Sequence, residues 1–279
     1  MTTKRKVILL TGATGGMGQA IAKGFVAAGG EFKNCNIALA DLPDTEQAAE
    51  KLAKDIHAQT PRYSGAMEFV PLDVTNPAMV GEAVAQVIEE FGVIDVLINN
   101  AGIMPLELIG ALVRLDEETI EELGHTVMEV NFWGPLRLCK RVLPHMRKAG
   151  YGRIINMSSI ATIGGEERNH VYAASKRALE ALTCSLAAGE AQAVPHEPTE
   201  AFDITVNAVA PGIADTEMTQ YLDGEKPKAF MGRYYARSPR HRKIRPEAVA
   251  SEVVYLSREE SSAINGQVRV VDDGYTISR

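Results

Sequence analysis

Cysteine is scarce. Cys35, Cys139 and Cys184 are the three in the chain, too few and too scattered for a disulfide framework or a thiolate zinc site. They read as reduced, packed thiols, which fits a cytoplasmic protein. No cluster of His, Cys and Asp carries metal-ligand spacing, so a site without metal is expected. Excess positive charge is missing too. The formal net charge is −7, which argues against nucleic acid or an anionic membrane as the main partner. Long apolar runs are missing as well. After the basic start, Val7 to Leu10 gives four apolar residues before Thr11 and Gly12, a strand's length rather than that of a signal peptide or membrane span. There is no internal repeat, low-complexity tract or clear linker, so residues 1–279 read as one domain. With 46% hydrophobic and 23% charged residues, that domain can bury a sizeable core.

What the chain does have is alternation. Short apolar stretches at 6–10, 36–40, 67–72, 93–98, 151–157, 204–209 and 267–271 read as strands. Helical patterns fall between them at 19–28, from near 45, and at 77–91, 117–148 and 172–188. Such alternation predicts an α/β fold with a parallel sheet covered on both faces, whose ligands sit beyond the strands' carboxyl ends. The first strand runs into Thr11-Gly12-Ala13-Thr14-Gly15-Gly16-Met17-Gly18 and then a helix. Glycines there let a pyrophosphate approach the backbone, and the helix's free N–H groups favour its charge. Asp41 ends the second strand 23 residues beyond Gly18, placed to hydrogen-bond an adenosine ribose. A carboxylate there repels a 2′-phosphate, and no Lys or Arg stands among the glycines, so NAD is expected over NADP. The other reading of Asp41 is a cap for the helix beginning near Thr45. Asp73 and Asn99 end the third and fourth strands on the same rim.

In the second half, Tyr172-Ala173-Ala174-Ser175-Lys176 follows Ser159 by thirteen residues to its tyrosine. A Tyr and a Lys four apart on a helix share a face. An ammonium beside a phenol favours the phenolate and makes tyrosine a usable general acid/base. An amphipathic surface pair is the competing reading of that spacing alone. Asn131 lies within the 117–148 helical pattern, where Gly134 and Pro135 are expected to disturb the helix and free backbone carbonyls.

Taken together, TGATGGMG at 11–18, Asp73, NNAG at 99–102, Asn131, Ser159, YAASK at 172–176 and APGIADT at 210–216 resemble a short-chain dehydrogenase/reductase of the single-domain type. The resemblance runs from about residue 5 to 276. It implies a Rossmann-like, doubly wound, seven-stranded parallel sheet in the order 3-2-1-4-5-6-7, and a homodimer or homotetramer. It implies that Tyr172 exchanges a proton with the substrate oxygen while hydride moves to or from the nicotinamide. Lys176 would assist the tyrosine and hold the nicotinamide ribose, Ser159 would bond the substrate oxygen, and Asn131 would hold a water on a relay to Lys176. Around the cofactor, Gly12, Thr14, Gly16, Met17 and Gly18 would cradle the pyrophosphate, and Asp41 with Leu42 the adenosine ribose. Asp73 and Val74 would meet the adenine. Asn100, Ala101, Gly102, Pro211, Gly212 and Thr216 would line the rest of the channel. The bland alternatives are a helix cap for Ser159, a kink for Asn131 and a turn for Thr216.

Four departures stand out. Ala214 replaces the usual branched aliphatic residue. The segment 189–202 is long and carries two prolines, which suggests a surface loop. Extra residues, including 106–112, lie near where substrate would enter. Asp273 stands where the family usually has glycine. Most unusual is 226–245, with eight Lys or Arg and no Asp or Glu, inside a stretch (about 213–245) that the resemblance makes a lid. A basic lid could steer an anionic substrate, or be a solvated face or an intersubunit contact. Tyr234 and Tyr235 are expected to pack its inner face. The expected activity is NAD(H)-dependent interconversion of a secondary alcohol and a ketone. A 3-oxoacyl-thioester (acyl carrier protein) reductase is the alternative enzyme, and a non-catalytic dinucleotide-binding sensor or scaffold the alternative of another class. An enoyl reductase is disfavoured, because it would widen the Tyr-to-Lys spacing to seven.

Overall fold

The computed structural model describes residues 5–163, 169–189, 202–224 and 228–277, without the side chains of 228 and 229. The long 189–202 loop therefore falls almost wholly outside the described residues. Seven parallel strands form one sheet in the order β3-β2-β1-β4-β5-β6-β7. They are β1 (Val7–Thr11), β2 (Asn36–Asp41), β3 (Met67–Pro71), β4 (Val96–Asn99), β5 (Tyr151–Met157), β6 (Asp203–Pro211) and β7 (Val268–Val271). β4 begins three residues later than its apolar pattern suggests. Gly92 turns the chain out of the preceding helix at φ +79°, and the Asp95 carboxylate accepts the Val7 N–H at 2.8 Å before pairing with β1 starts at Val96.

Each strand sorts its side chains to two faces because successive Cβ atoms alternate. On β1, Ile8 and Leu10 join one core cluster with Ile21, Phe25, Ala250 and Val253. Val7 and Leu9 join the other with Val80, Val84, Leu138 and Val142. The first cluster uses α1 (Gly16–Ala28), α2 (Glu46–Gln59) and α8 (Pro246–Leu256). The second uses α3 (Pro77–Phe91) and α5 (Gly134–Ala149). Apolar residues on both strand faces are what a sheet covered on both sides requires.

The helical pattern 117–148 divides. α4 (Glu117–Met128) passes into a π turn over Glu129–Trp133 and then into α5. Wide turns of this kind often mark functional sites. Here the cause is local, since Pro135 offers no N–H to the Asn131 carbonyl four residues back. α6 (His170–Gly189) carries the Tyr-to-Lys spacing. Beyond β6, a 3-10 segment (Glu217–Asp223) and α7 (Lys228–Arg237) form a third apolar cluster, in which Ile160, Ile213, Leu222, Met231 and Tyr234 are buried together.

Candidate active site

Parallel strands in register place their carboxyl ends on one rim, and the cavity there is about 480 Å³. It is lined by the glycine turn, Asp41, Asp73, Ser159, Tyr172, Lys176, Gly212 and Thr216 among others. Every residue expected at the site lines it except Asn131, which sits one layer behind.

The glycine turn is fixed from two sides. Gly12 has φ +62°, and a Cβ on Gly18 would lie 2.1 Å from the Gly12 carbonyl oxygen, so neither position admits a side chain without moving the backbone. Thr11, which the sequence reading passed over, accepts the N–H groups of Asn100 and Ala101 at 3.0 Å each. Asn100 Nδ2 in turn donates to the carbonyls of Thr11 and Gly12, both at 2.9 Å. Asp41 does not cap α2, whose N-cap is Thr45. Its Oδ2 accepts from the backbone N–H and hydroxyl of Thr14 at 2.8 and 2.7 Å, and Oδ1 from the Leu42 N–H at 2.9 Å. The carboxylate thus ties the glycine turn to the end of β2. Asp73 accepts from the Thr75 N–H and hydroxyl, and this closes the turn that presents Val74. At the N-terminus of α1, the Gly16 N–H donates to Glu217 Oε2 at 3.0 Å.

The chemical end of the cavity is built on α6 and the end of β5. Lys176 is 4% exposed, and its Nζ donates to the Met157 carbonyl at 2.8 Å. Burial disfavours the ammonium, lowering its pKa from 10.5 to about 8. Nζ stands 5.7 Å from the centroid of the Tyr172 ring. A Cβ on Gly102 would lie 3.1 Å from that Nζ and 3.2 Å from Asn131 Oδ1, so one small space joins the lysine to Asn131. The Asn131 side chain is fully used by the protein. Nδ2 donates to the Ile103 carbonyl and the Ser175 hydroxyl at 3.0 Å each, and Oδ1 accepts the Ile103 N–H at 2.9 Å. Ser159 does serve as a cap, its Oγ accepting the Ala161 N–H at 3.2 Å, and it lines the cavity as well.

The basic stretch 226–245 behaves differently from a charged lid facing the cavity. Lys243 pairs with Asp223 at 2.7 Å and with Asp215 at 3.6 Å, and Arg240 and Arg242 both reach Asp273. Arg237 lies over the Tyr275 ring at 4.5 Å. Lys226 and the side chain of Lys228 fall outside the described residues. Among the described residues lining the cavity, Lys176 is the sole Lys or Arg. Tyr234 is 1% exposed and packs against Tyr275, as expected for the inner face. Ala214 lines the cavity and bridges Ile244. Of the extra residues before α4, Leu106 and Leu112 are exposed, and Met104 reaches the cavity instead. The described helices include none long and apolar enough to cross a membrane.

Comparison with known proteins agrees with this geometry. Residues 12–276 match the family profile described as enoyl-(acyl carrier protein) reductase. The chain is 34% identical to the 3-oxoacyl-(acyl-carrier-protein) reductase FabG of Thermotoga maritima, over 99% of this chain and 100% of that one. It is also 34% identical to the 2-(R)-hydroxypropyl-CoM dehydrogenase of Xanthobacter autotrophicus, over 97% and 98%. Among solved structures, a variant of actinorhodin polyketide ketoreductase with NADPH superposes at a TM-score of 0.80, with 29% identity over 99% of this chain and 98% of that one. With its sheet order, its cavity and relatives matched end to end, the chain belongs to the short-chain dehydrogenase/reductase family and is an oxidoreductase.

Proposed function

We propose that the protein interconverts a secondary alcohol and a ketone with NAD(H), using Tyr172 as the general acid/base. The observation that carries this reading is the buried Lys176 ammonium beside the Tyr172 ring, in one cavity with Ser159 and the glycine turn. The turn fits a dinucleotide, because Gly12, Gly15, Gly16 and Gly18 line the cavity, a Cβ added at Gly15 would meet nothing nearer than 3.7 Å, and the Gly15 N-cap puts no side chain of its own over the α1 N-terminus. Bound there, a nicotinamide dinucleotide supplies or accepts the hydride. Asp41, already fixed by Thr14, stands for the adenosine ribose and is the reason to expect NAD.

In reduction Tyr172 gives its phenolic proton to the substrate oxygen, and in oxidation it takes that proton back. Ser159 donates a hydrogen bond to the same oxygen as negative charge builds on it. Lys176 favours the phenolate by its charge. Since the Asn131 side chain is committed to Ile103 and Ser175, its part in a proton relay falls to the main-chain carbonyl that Pro135 leaves without an α-helical donor. The segment 213–245 serves as the lid. Its cavity-facing residues Ile213, Tyr221, Leu222 and Phe230, with Met104 and Ile160 opposite, suit a substrate with an apolar body. The ion pairs of Lys243, Arg240 and Arg242 leave the anionic-substrate reading with little support. A homodimer or homotetramer is part of the proposal and is measurable by sedimentation.

The Thermotoga relative's name supports a second reading, a 3-oxoacyl-thioester reductase, whose acyl chain would also suit an apolar lining. Fluorescence titration with NADH and NADPH, followed by absorbance at 340 nm, separates the readings. The panel holds neutral ketones, keto acids and an acetoacetyl thioester. Tyr172→Phe should abolish nearly all turnover while NADH still binds, and retained turnover would refute the acid/base assignment. Asp41→Ala should shift the preference toward NADPH, and an unchanged ratio would refute the ribose assignment. Tight NADH binding with no turnover of any panel member would favour a sensor.

A further inference from the structure

α6 places three polar residues on one face at successive turns: Tyr172, Lys176 and Glu180. The proposed chemistry uses the first two. Glu180 does not line the cavity, yet it is 4% exposed, and a buried carboxylate needs donors. It has three. Oε1 accepts the Ser158 hydroxyl at 2.6 Å and the Thr162 hydroxyl at 2.6 Å, and Oε2 accepts from Arg177 at 2.7 Å. Thr162 Oγ1 also lies 2.8 Å from the Ser159 carbonyl, but its single proton goes to the charged acceptor, the stronger of the two.

Ser158 and Thr162 bracket Ser159. The short turn Ile160–Thr162 that Ser159 caps is therefore held at both ends by one carboxylate on the helix that carries Tyr172. One turn earlier, Lys176 holds the Met157 carbonyl, so two consecutive turns of α6 grip the end of β5. We infer that Glu180 is a positioning residue: it sets the Ser159 hydroxyl against the Tyr172 hydroxyl by clamping the turn 158–162 to α6. This rests on the proposed role of Ser159 at the substrate oxygen. Neither local sequence nor the cavity lining signals it, because Glu180 and Ser158 meet across 22 residues.

The first test needs no substrate. Amide hydrogen exchange over 157–163 should speed up by about tenfold or more in Glu180→Ala, while exchange over 11–18 and the Kd for NADH stay unchanged. Unchanged exchange over 157–163 would overturn the clamp. Kinetics then tests the consequence with the best ketone of the panel. Glu180→Ala should lower kcat by about tenfold or more and Glu180→Gln, which keeps an acceptor, should recover most of it. In a Ser159→Ala background the loss from Glu180→Ala should shrink to about twofold or less, because the two residues act through one hydroxyl. Losses that multiply independently would overturn the positioning role while leaving Ser159 in place. Full turnover by Ser159→Ala alone would instead overturn the role of Ser159 and this inference with it. If Glu180→Ala does not fold, Thr162→Val removes one strut at nearly constant volume and must show the same local exchange and the same non-additivity.

Discussion

Lys176 should make the protein more stable as pH rises from 7 to 10. The ammonium is buried and pays for it, with a pKa lowered from 10.5 to about 8. At about 1.4 kcal/mol per pH unit, that gap is a penalty of roughly 3 kcal/mol on the folded state. The sign follows from proton counting. Between about 8 and 10.5 the unfolded chain holds a proton on this lysine that the folded chain has released, so unfolding becomes harder as pH rises. Below 8 the penalty is present in full, and it fades through that window. The comparison is between Tyr172→Phe and Tyr172→Phe with Lys176→Met, which removes the phenol facing the ammonium from both proteins. Urea midpoints at pH 7, 8, 9 and 10 give the stability difference. The lysine-containing protein should gain roughly 2 to 3 kcal/mol on its partner between pH 7 and pH 10. Cys35 and Cys139, pushed up to about 12 by burial, titrate alike in both and cancel. The lost hydrogen bond to the Met157 carbonyl adds an offset that does not vary with pH. A difference constant from pH 7 to 10 would mean an ordinary lysine and would refute the desolvation argument, and a falling one would reverse its sign.

Two further outcomes follow from the glycine turn. Gly18→Ala forces a Cβ to within 2.1 Å of the Gly12 carbonyl, whereas at Gly15 the nearest atom to an added Cβ is 3.7 Å away; Gly18→Ala should lower both Tm and NADH affinity while Gly15→Ala changes little, and equal effects measured by thermal melts and fluorescence titration would contradict the cradle. Glu217→Gln removes a negative charge from the Gly16 N–H, where the cofactor's pyrophosphate is proposed to sit. NADH should then bind about two- to fivefold tighter, and unchanged or weaker binding by the same titration would show that the carboxylate does not compete.

The strands were legible because buried parallel strands are short apolar runs closed by Gly, Asp or Asn, as at Leu10-Thr11-Gly12 and Ala40-Asp41. The break in the 117–148 helix was legible from Gly134 and Pro135, although its form, a π turn, was not. At the site, the residues that announce themselves by local spacing are ones that line the cavity: the glycines, Asp41, and Tyr172 with Lys176. Those whose meaning lies in a distant partner do not announce themselves. Glu217 meets Gly16 across 201 residues and Thr11 meets Ala101 across 90, and although each adjoins a motif residue, Thr216 or Gly12, nothing local points to its partner. The sequence singles out Asn131, but its side chain braces the 103 loop, because an amide has enough donors and acceptors to bind backbone from both sides.

The basic segment shows the same limit in electrostatic form. A count of charges along the chain treats 226–245 as a positive field, yet a field depends on what stands opposite each charge. Asp215, Asp223 and Asp273 come from outside that window and face Lys243, Arg240 and Arg242. Asp273 also explains itself through the backbone. It sits at φ +51°, a left-handed position that suits glycine and that aspartate tolerates better than most residues, and it uses the side chain glycine would lack to hold two arginines. Each pair has one partner open to solvent, and pairs screened in that way contribute little stability each, so their consequence is orientation. They hold Arg240 and Arg242 toward the C-terminal turn and Lys243 toward Asp215 and Asp223, and Phe230, Met231 and Tyr234 pack inward with Ile213 and Leu222. An apolar inner face on a segment this basic is therefore the expected result of where its counter-charges lie.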